Sequence, residues 1–125
     1  MGLRLAEGRD VEELSRLWVT CFPGDEAFRD YFLKEVFDPK NTYVYTDGGR
    51  IVSMAHILPM EINYHSSTVP AGYIFAVGTD PEYRGRGLAA KVLEQIFLEL
   101  RQRDIPIALL IPQKGSLFEY YKRFG

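Results

Sequence analysis

The segment Val77-Gly78-Thr79-Asp80-Pro81-Glu82-Tyr83-Arg84-Gly85-Arg86-Gly87-Leu88-Ala89-Ala90 constrains this chain more than any other. An apolar strand pattern leads into it through Ala71 to Thr79, and an amphipathic helix pattern leaves it from Leu88 to Leu100. Between them lies a short turn with two glycines and two arginines. A strand that feeds a helix through such a turn makes an anion-binding nest. The first amides of the helix point outward unpaired, and the helix dipole adds positive potential there. Glycine lets a phosphate approach the backbone without a Cβ in the way. Arginine offers forked donors that match phosphate oxygens. The turn is therefore expected to grip the pyrophosphate of a nucleotide-like cofactor.

The rest of the chain supplies a scaffold for that turn. Leu3-Arg4-Leu5 alternates and reads as a first strand. Asp10 stands as an N-cap with Glu13 as its capping-box partner. Val11, Leu14, Leu17, Trp18 and Cys21 then mark a helix to about Phe22, which Pro23-Gly24 ends. Asp25 and Glu26 open a second helix with an apolar stripe of Phe28, Tyr31, Phe32, Val36 and Phe37, closed by Asp38-Pro39. Strands follow at Thr42 to Thr46, Ile51 to about Asn63, and Thr68 to Thr79. Asp47-Gly48-Gly49 and His65-Ser66-Ser67 are the turns between them. In the long middle strand Val52, Met54, Leu58, Met60, Ile62 and Tyr64 share one face, with Ser53, Glu61 and Asn63 on the other. Pro59 marks a bulge or an edge. After the third helix, Ile107 to Ile111 reads as a strand covered on both faces. Ser116 and Glu119 open a last short helix through Lys122. The order is β-α-α-β-β-β-α-β-α, an α/β (α+β) chain with one domain over residues 1–125.

Composition narrows the function classes. The net charge of −2 gives no electrostatic reason to propose nucleic acid. The single cysteine, Cys21, excludes an internal disulfide and reads as a buried core thiol in a reducing compartment. The longest apolar run is far too short to span a membrane. No signal-peptide pattern opens the chain, so the expected location is cytoplasmic, with no membrane partner. No metal site is expected.

Two kinds of site use such a turn. Gly85-x-Gly87-x-x-Ala90 satisfies a relaxed dinucleotide fingerprint. That site needs the turn after the first strand and an acid at the end of the next one. Here the turn follows three strands, and the next strand ends Ile111-Pro112-Gln113. The other kind is the acyl-coenzyme A site. Arg84-Gly85-Arg86-Gly87-Leu88-Ala89 resembles the Arg/Gln-x-x-Gly-x-Gly/Ala signature of the Gcn5-related N-acetyltransferases. Asp80-Pro81-Glu82-Tyr83 resembles the usual lead-in, and the element order agrees.

The resemblance implies a mixed, mostly antiparallel sheet flanked by helices, and acetyl-coenzyme A as co-substrate. The backbone of Val77, Gly78 and Thr79 would pair with the pantetheine arm. The segment Arg84, Gly85, Arg86, Gly87, Leu88, Ala89 and Ala90 would hold the pyrophosphate through its amides. Tyr120-Tyr121-Lys122-Arg123-Phe124-Gly125 resembles the family's segment that places a tyrosine at the thioester sulfur, which implies Tyr121, with Tyr120 as the alternative. An unperturbed tyrosine lies near pKa 10 and a thiol near 8.5, so full proton transfer is uphill by about 2 kcal/mol and a hydrogen bond to the thiolate is the better role. The expected activity is acetyl transfer to a primary amine by direct attack on the thioester. The alternatives are a non-catalytic acyl-coenzyme A-binding or regulatory domain, or a piece of a larger acetyltransferase. Glu61, His56 and His65 are the candidates for a base, with Glu61 retained to act through water. The acceptor stays open among aminoglycoside, polyamine, peptide N-terminus and lysine.

Cys21-Phe22-Pro23-Gly24-Asp25, Leu58-Pro59 and Tyr121-Lys122-Arg123-Phe124-Gly125 are similar to the enhanced-intracellular-survival (Eis-like) acetyltransferases, which are longer. The family's sixth and seventh strands would follow Gly125. Without them the last strand exposes an apolar edge, and a homodimer or higher oligomer is expected through it. A monomeric mass by light scattering would count against that expectation.

Overall fold

A computed structural model describes residues 2–110. Five strands form one sheet in the order β1 (Gly2–Leu5), β2 (Thr42–Asp47), β3 (Arg50–Tyr64), β4 (Ser67–Thr79) and β5 (Ile107–Leu110). The first three pairings are antiparallel, and β4 with β5 is parallel. The sheet is mixed because a helix, α3 (Leu88–Gln102), crosses between β4 and β5, whereas tight turns join β2 to β3 and β3 to β4. The expected loop at 112–115, the last helix and Tyr121 lie outside the described residues.

Helices cover both faces of the sheet. On one face α1 (Val11–Cys21) packs through Leu14, Leu17 and Trp18, joined by Phe32 just after α2 (Glu26–Tyr31), against Val44, Ile51 and Met54. α3 covers the other with Val92, Leu93, Ile96 and Leu100 against Tyr43, Ala55, Ile57 and Ile74. Each such side chain contributes roughly 1.5–3 kcal/mol by leaving water. Because both faces are covered, β3 is buried continuously from Ile51 to Ile57. The expected alternation is therefore absent there, and Ser53 is fully buried, its hydroxyl donating to Gly78 O at 3.2 Å. A register shift between Met54 and His56 moves the pattern by one residue.

Three other expectations are corrected. Asp10 is the N-cap residue of α1, as expected, but its side chain makes no cap bond to that helix and the capping box with Glu13 is not formed. The Asp10 carboxylate accepts from Glu7 N at 2.7 Å and pairs with Arg4, which closes a box one turn earlier, around Gly8–Asp10. Glu13 accepts from Ile51 N at 3.0 Å and so ties α1 to β3. The second helix loses its single stripe because α2 passes into a π turn at Phe32–Val36. Phe32 is buried, but Phe28 and Tyr31 are 50% and 58% exposed. Finally, β5 is not covered on both faces, since Ala108 and Leu109 are exposed.

Both two-residue hairpin turns have left-handed backbones. Gly48 and Gly49 take φ +58° and +86°, which glycine adopts freely. His65 and Ser66 take φ +48° and +65°, where an L side chain costs roughly 1–2 kcal/mol. Ser66→Gly is expected to raise stability by about 1 kcal/mol. A denaturation midpoint equal to or below that of the parent chain would contradict this.

Candidate functional site

The site is built where β4 outruns its parallel neighbour. β5 pairs only with Ala71 to Ile74 of β4. From Phe75 onward, the edge of β4 turned away from β3 has no strand beside it among the described residues. Ala76 sits in the register shift with φ +51°, so β4 kinks where the pairing ends. Beyond the kink the ladder resumes, with Asp80 N donating to Val52 O at 2.8 Å. Strand alternation then turns the backbone groups of Val77 and Thr79 toward the open side. Thr79 O is met there by Arg84 Nε at 3.0 Å and by Cys21 Sγ at 3.5 Å.

The turn follows at once. Gly85 and Gly87 have φ +82° and +75°, and a Cβ at either would meet no atom within 4 Å. Gly87 is the N-cap of α3 and supplies no side-chain cap. Lys91 N to Gly87 O, at 3.1 Å, is an i+4 bond of the first helical turn. The amides of Leu88, Ala89 and Ala90 precede it and have no intrahelical acceptor. With the dipole of a 15-residue helix behind them, they present unpaired donors in a region of positive potential.

A polar frame holds the turn. Buried Asp80 accepts from Glu82 N at 3.0 Å and faces Arg16 at 3.4 Å and Arg50 at 3.7 Å. Tyr83 donates its hydroxyl to Asp47 at 2.6 Å, a bond that raises its pKa. Arg86 stacks over the Tyr83 ring at 4.8 Å. This frame joins the turn to α1 and to the β2–β3 hairpin. Sequence reasoning read Asp80 and Tyr83 only as a lead-in. Asp80-Pro81-Glu82 is itself a cap signal, with proline in the first helical positions of the Pro81–Tyr83 turn.

Cys21 differs from the expected core thiol. It is half-buried at the end of α1, against Gly78, and burial raises its pKa. A Cβ on Gly78 would lie 2.8 Å from Cys21 Sγ and 3.1 Å from its Cβ. Glycine at 78 thus lets α1 touch the open strand. Gly78→Ala is expected to displace that segment, costing about 1–3 kcal/mol by overpacking. Combining it with Cys21→Ala should recover part of the loss. Strictly additive losses in a double-mutant cycle would refute the contact.

Of the base candidates, Glu61 and His65 lie away from the kink, and His56 is buried beside it. Glu61 is exposed on the β3–β4 hairpin, opposite Pro70, on the face that carries α3. Six residues of strand from Pro70 to Ala76 separate it from the kink by about 20 Å. His65 is exposed in the hairpin turn. His56 is buried among Trp18, Phe32 and Phe75, and desolvation lowers its pKa to about 3. A ring that weakly basic is a poor proton acceptor at neutral pH. No cluster of three or more metal-ligating side chains occurs among the described residues, and no helix there is long and apolar enough to cross a membrane.

An open strand edge thus runs directly into an uncapped helix start. The acetyltransferase (GNAT) domain family matches residues 3–125, and the chain belongs to that family. It is 28% identical to the N-alpha-acetyltransferase RimI of Mycobacterium tuberculosis, over 93% of this chain and 81% of the relative. A GCN5-related N-acetyltransferase from Anabaena variabilis superposes with a TM-score of 0.82 and 27% identity, over 95% of this chain and 30% of that one. A predicted acetyltransferase from Clostridium acetobutylicum, solved with acetyl-CoA, superposes with a TM-score of 0.79 and 19% identity, over 99% of this chain and 88% of that one. The chain therefore spans most of the length of RimI but under a third of the Anabaena chain.

Proposed function

We propose that this chain transfers the acetyl group of acetyl-coenzyme A to a primary amine by direct attack on the thioester. The observation that carries the reading is the continuity of the open β4 edge with the uncapped start of α3. Acetyl-coenzyme A supplies the activated acyl group. Val77 and Thr79 would pair with the amides of its arm, and Gly85 to Ala90 would hold its pyrophosphate. A backbone amide near the kink would polarise the acyl carbonyl. Tyr121, assigned from the sequence resemblance, would donate a hydrogen bond to the departing sulfur.

The acceptor would approach along a tract of rings. Phe28 contacts Trp18, which contacts Phe22, and Phe22 lies beside Gly78. Phe28 also stacks with Phe32, which meets Phe75 just before the kink. The RimI relative, an N-alpha-acetyltransferase by name, points to an α-amino acceptor. The acid–base energetics agree. An α-amino group near pKa 8 reaches its neutral form at pH 7 for about 1 kcal/mol, whereas a lysine costs about 4.6 kcal/mol.

Calorimetric titration with acetyl-coenzyme A tests the cofactor site, and absence of binding would sink the reading. Tyr121→Phe is expected to keep binding while lowering thiol release with a reactive amine by at least about tenfold. Unchanged release would favour a binding or regulatory domain. A peptide with a free N-terminus should outrun an N-blocked, lysine-containing peptide. A second reading, as part of a longer Eis-like acetyltransferase, is favoured by the matched Anabaena chain being over three times as long. The reading frame around this chain tests it.

A further inference from the structure

Beneath the ring tract lie two buried polar atoms that the proposed chemistry does not use. Trp18 Nε1 and His56 Nε2 have no hydrogen-bond partner among the described residues. Both residues are almost wholly buried, at 2% and 1% exposure, and their ring centroids are 5.7 Å apart. Orphaned groups at that depth cost roughly 1–3 kcal/mol each, so the pair calls for an explanation.

The remaining contacts fix which atom donates. The Thr42 hydroxyl lies 3.1 Å from Asp38 O and 3.1 Å from His56 Nδ1. A carbonyl only accepts, so the single hydroxyl hydrogen goes to Asp38. Thr42 Oγ1 is left as the acceptor toward His56, and Nδ1 carries the ring proton. Nε2 is then a bare lone pair. The indole Nε1 is a donor only. The two orphans are therefore one donor and one acceptor on neighbouring rings, without a direct bond between them.

A hydroxylic molecule satisfies both at once, because it accepts with one lone pair and donates with one O–H. We propose that a single buried water joins Trp18 Nε1 to His56 Nε2 and completes the chain Asp38–Thr42–His56–water–Trp18. The chain ties α1 to β2 and β3. It runs behind Phe75, which opposes His56 across the ladder and precedes the kink at Ala76. The polar link thus fixes the wall on which the ring tract is built.

Nuclear magnetic resonance on the whole, nitrogen-15-labelled chain tests this without reference to activity. The expected result is a neutral His56 with its proton on Nδ1 at pH 7, and a Trp18 indole proton in contact with a long-lived water. His56→Leu should abolish the water contact while the indole signal persists. An Nε2–H ring, a direct scalar coupling between the two nitrogens, or an indole proton with no water neighbour would each overturn the proposal. A water contact that survives His56→Leu would overturn it too. Should that variant not fold, the tautomer and the water contact of the parent chain decide alone.

Discussion

Lowering the pH from 7 to 5 is expected to destabilise this chain by about 2 kcal/mol through His56 alone. The ring is buried, and desolvation lowers its pKa from 6.5 to about 3. Between those values the unfolded chain holds a proton on this residue that the folded chain does not. Stability therefore rises with pH across that window, and it falls as the pH drops below 6.5. The slope approaches about 1.4 kcal/mol per pH unit once the unfolded histidine is charged. The two carboxylates held low by partners act later. Asp10 beside Arg4, and Glu99 beside Tyr43 and Arg103, lose their stabilisation only as the pH passes below the ordinary carboxylate range. Denaturant titrations at pH 7, 6 and 5, run in parallel on the parent chain and His56→Leu, isolate the effect, because every other group cancels in the difference. The variant's curve should be nearly flat where the parent's falls. Parallel losses in both would show that His56 is not held neutral by the fold.

How far this was legible in the sequence depends on how local the cause is. The turn from Arg84 to Ala90 was readable because its chemistry is local: two glycines, a strand before and a helix after. The structure gives both glycines the left-handed backbone that such a nest uses. The Asp47-Gly48-Gly49 hairpin was readable for the same reason. What failed was whatever depended on a distant partner. The capping pattern places Asp10 correctly at the start of α1, yet its carboxylate is taken by Arg4 on β1 and the amide of Glu7 rather than by the helix. Alternation in β3 was masked because α1 and α3 bury both faces, a fact no window of β3 contains. The passage from α2 into a π turn left Phe28 and Tyr31 exposed, although their spacing with Phe32 reads as one buried stripe. At the site, the kink at Ala76 left no composition signal, because alanine carries no mark of a left-handed backbone. Gly78 had a signal, a glycine inside a strand, whose cause is Cys21 on another element.

Gly87→Asp is expected to weaken acetyl-coenzyme A binding by at least about 100-fold, equivalent to about 2.7 kcal/mol, while leaving the chain folded. The fold tolerates the change because aspartate is among the residues that enter the left-handed region most readily. The cost at φ +75° is then roughly 1–2 kcal/mol, and no neighbouring atom obstructs the new Cβ. A carboxylate at this N-cap would stand before the amides of Leu88, Ala89 and Ala90, where the structure provides no side-chain cap. It would occupy the anion site and repel a diphosphate from it. Gly87→Asn separates the two causes, since it has the same shape without the charge. Binding by the asparagine variant should fall about tenfold, and only the aspartate variant should recover affinity as salt screens the repulsion. Parent-like affinity in Gly87→Asp would mean that the pyrophosphate is not held at the start of α3. In that case the open edge of β4 alone would have to account for cofactor recognition.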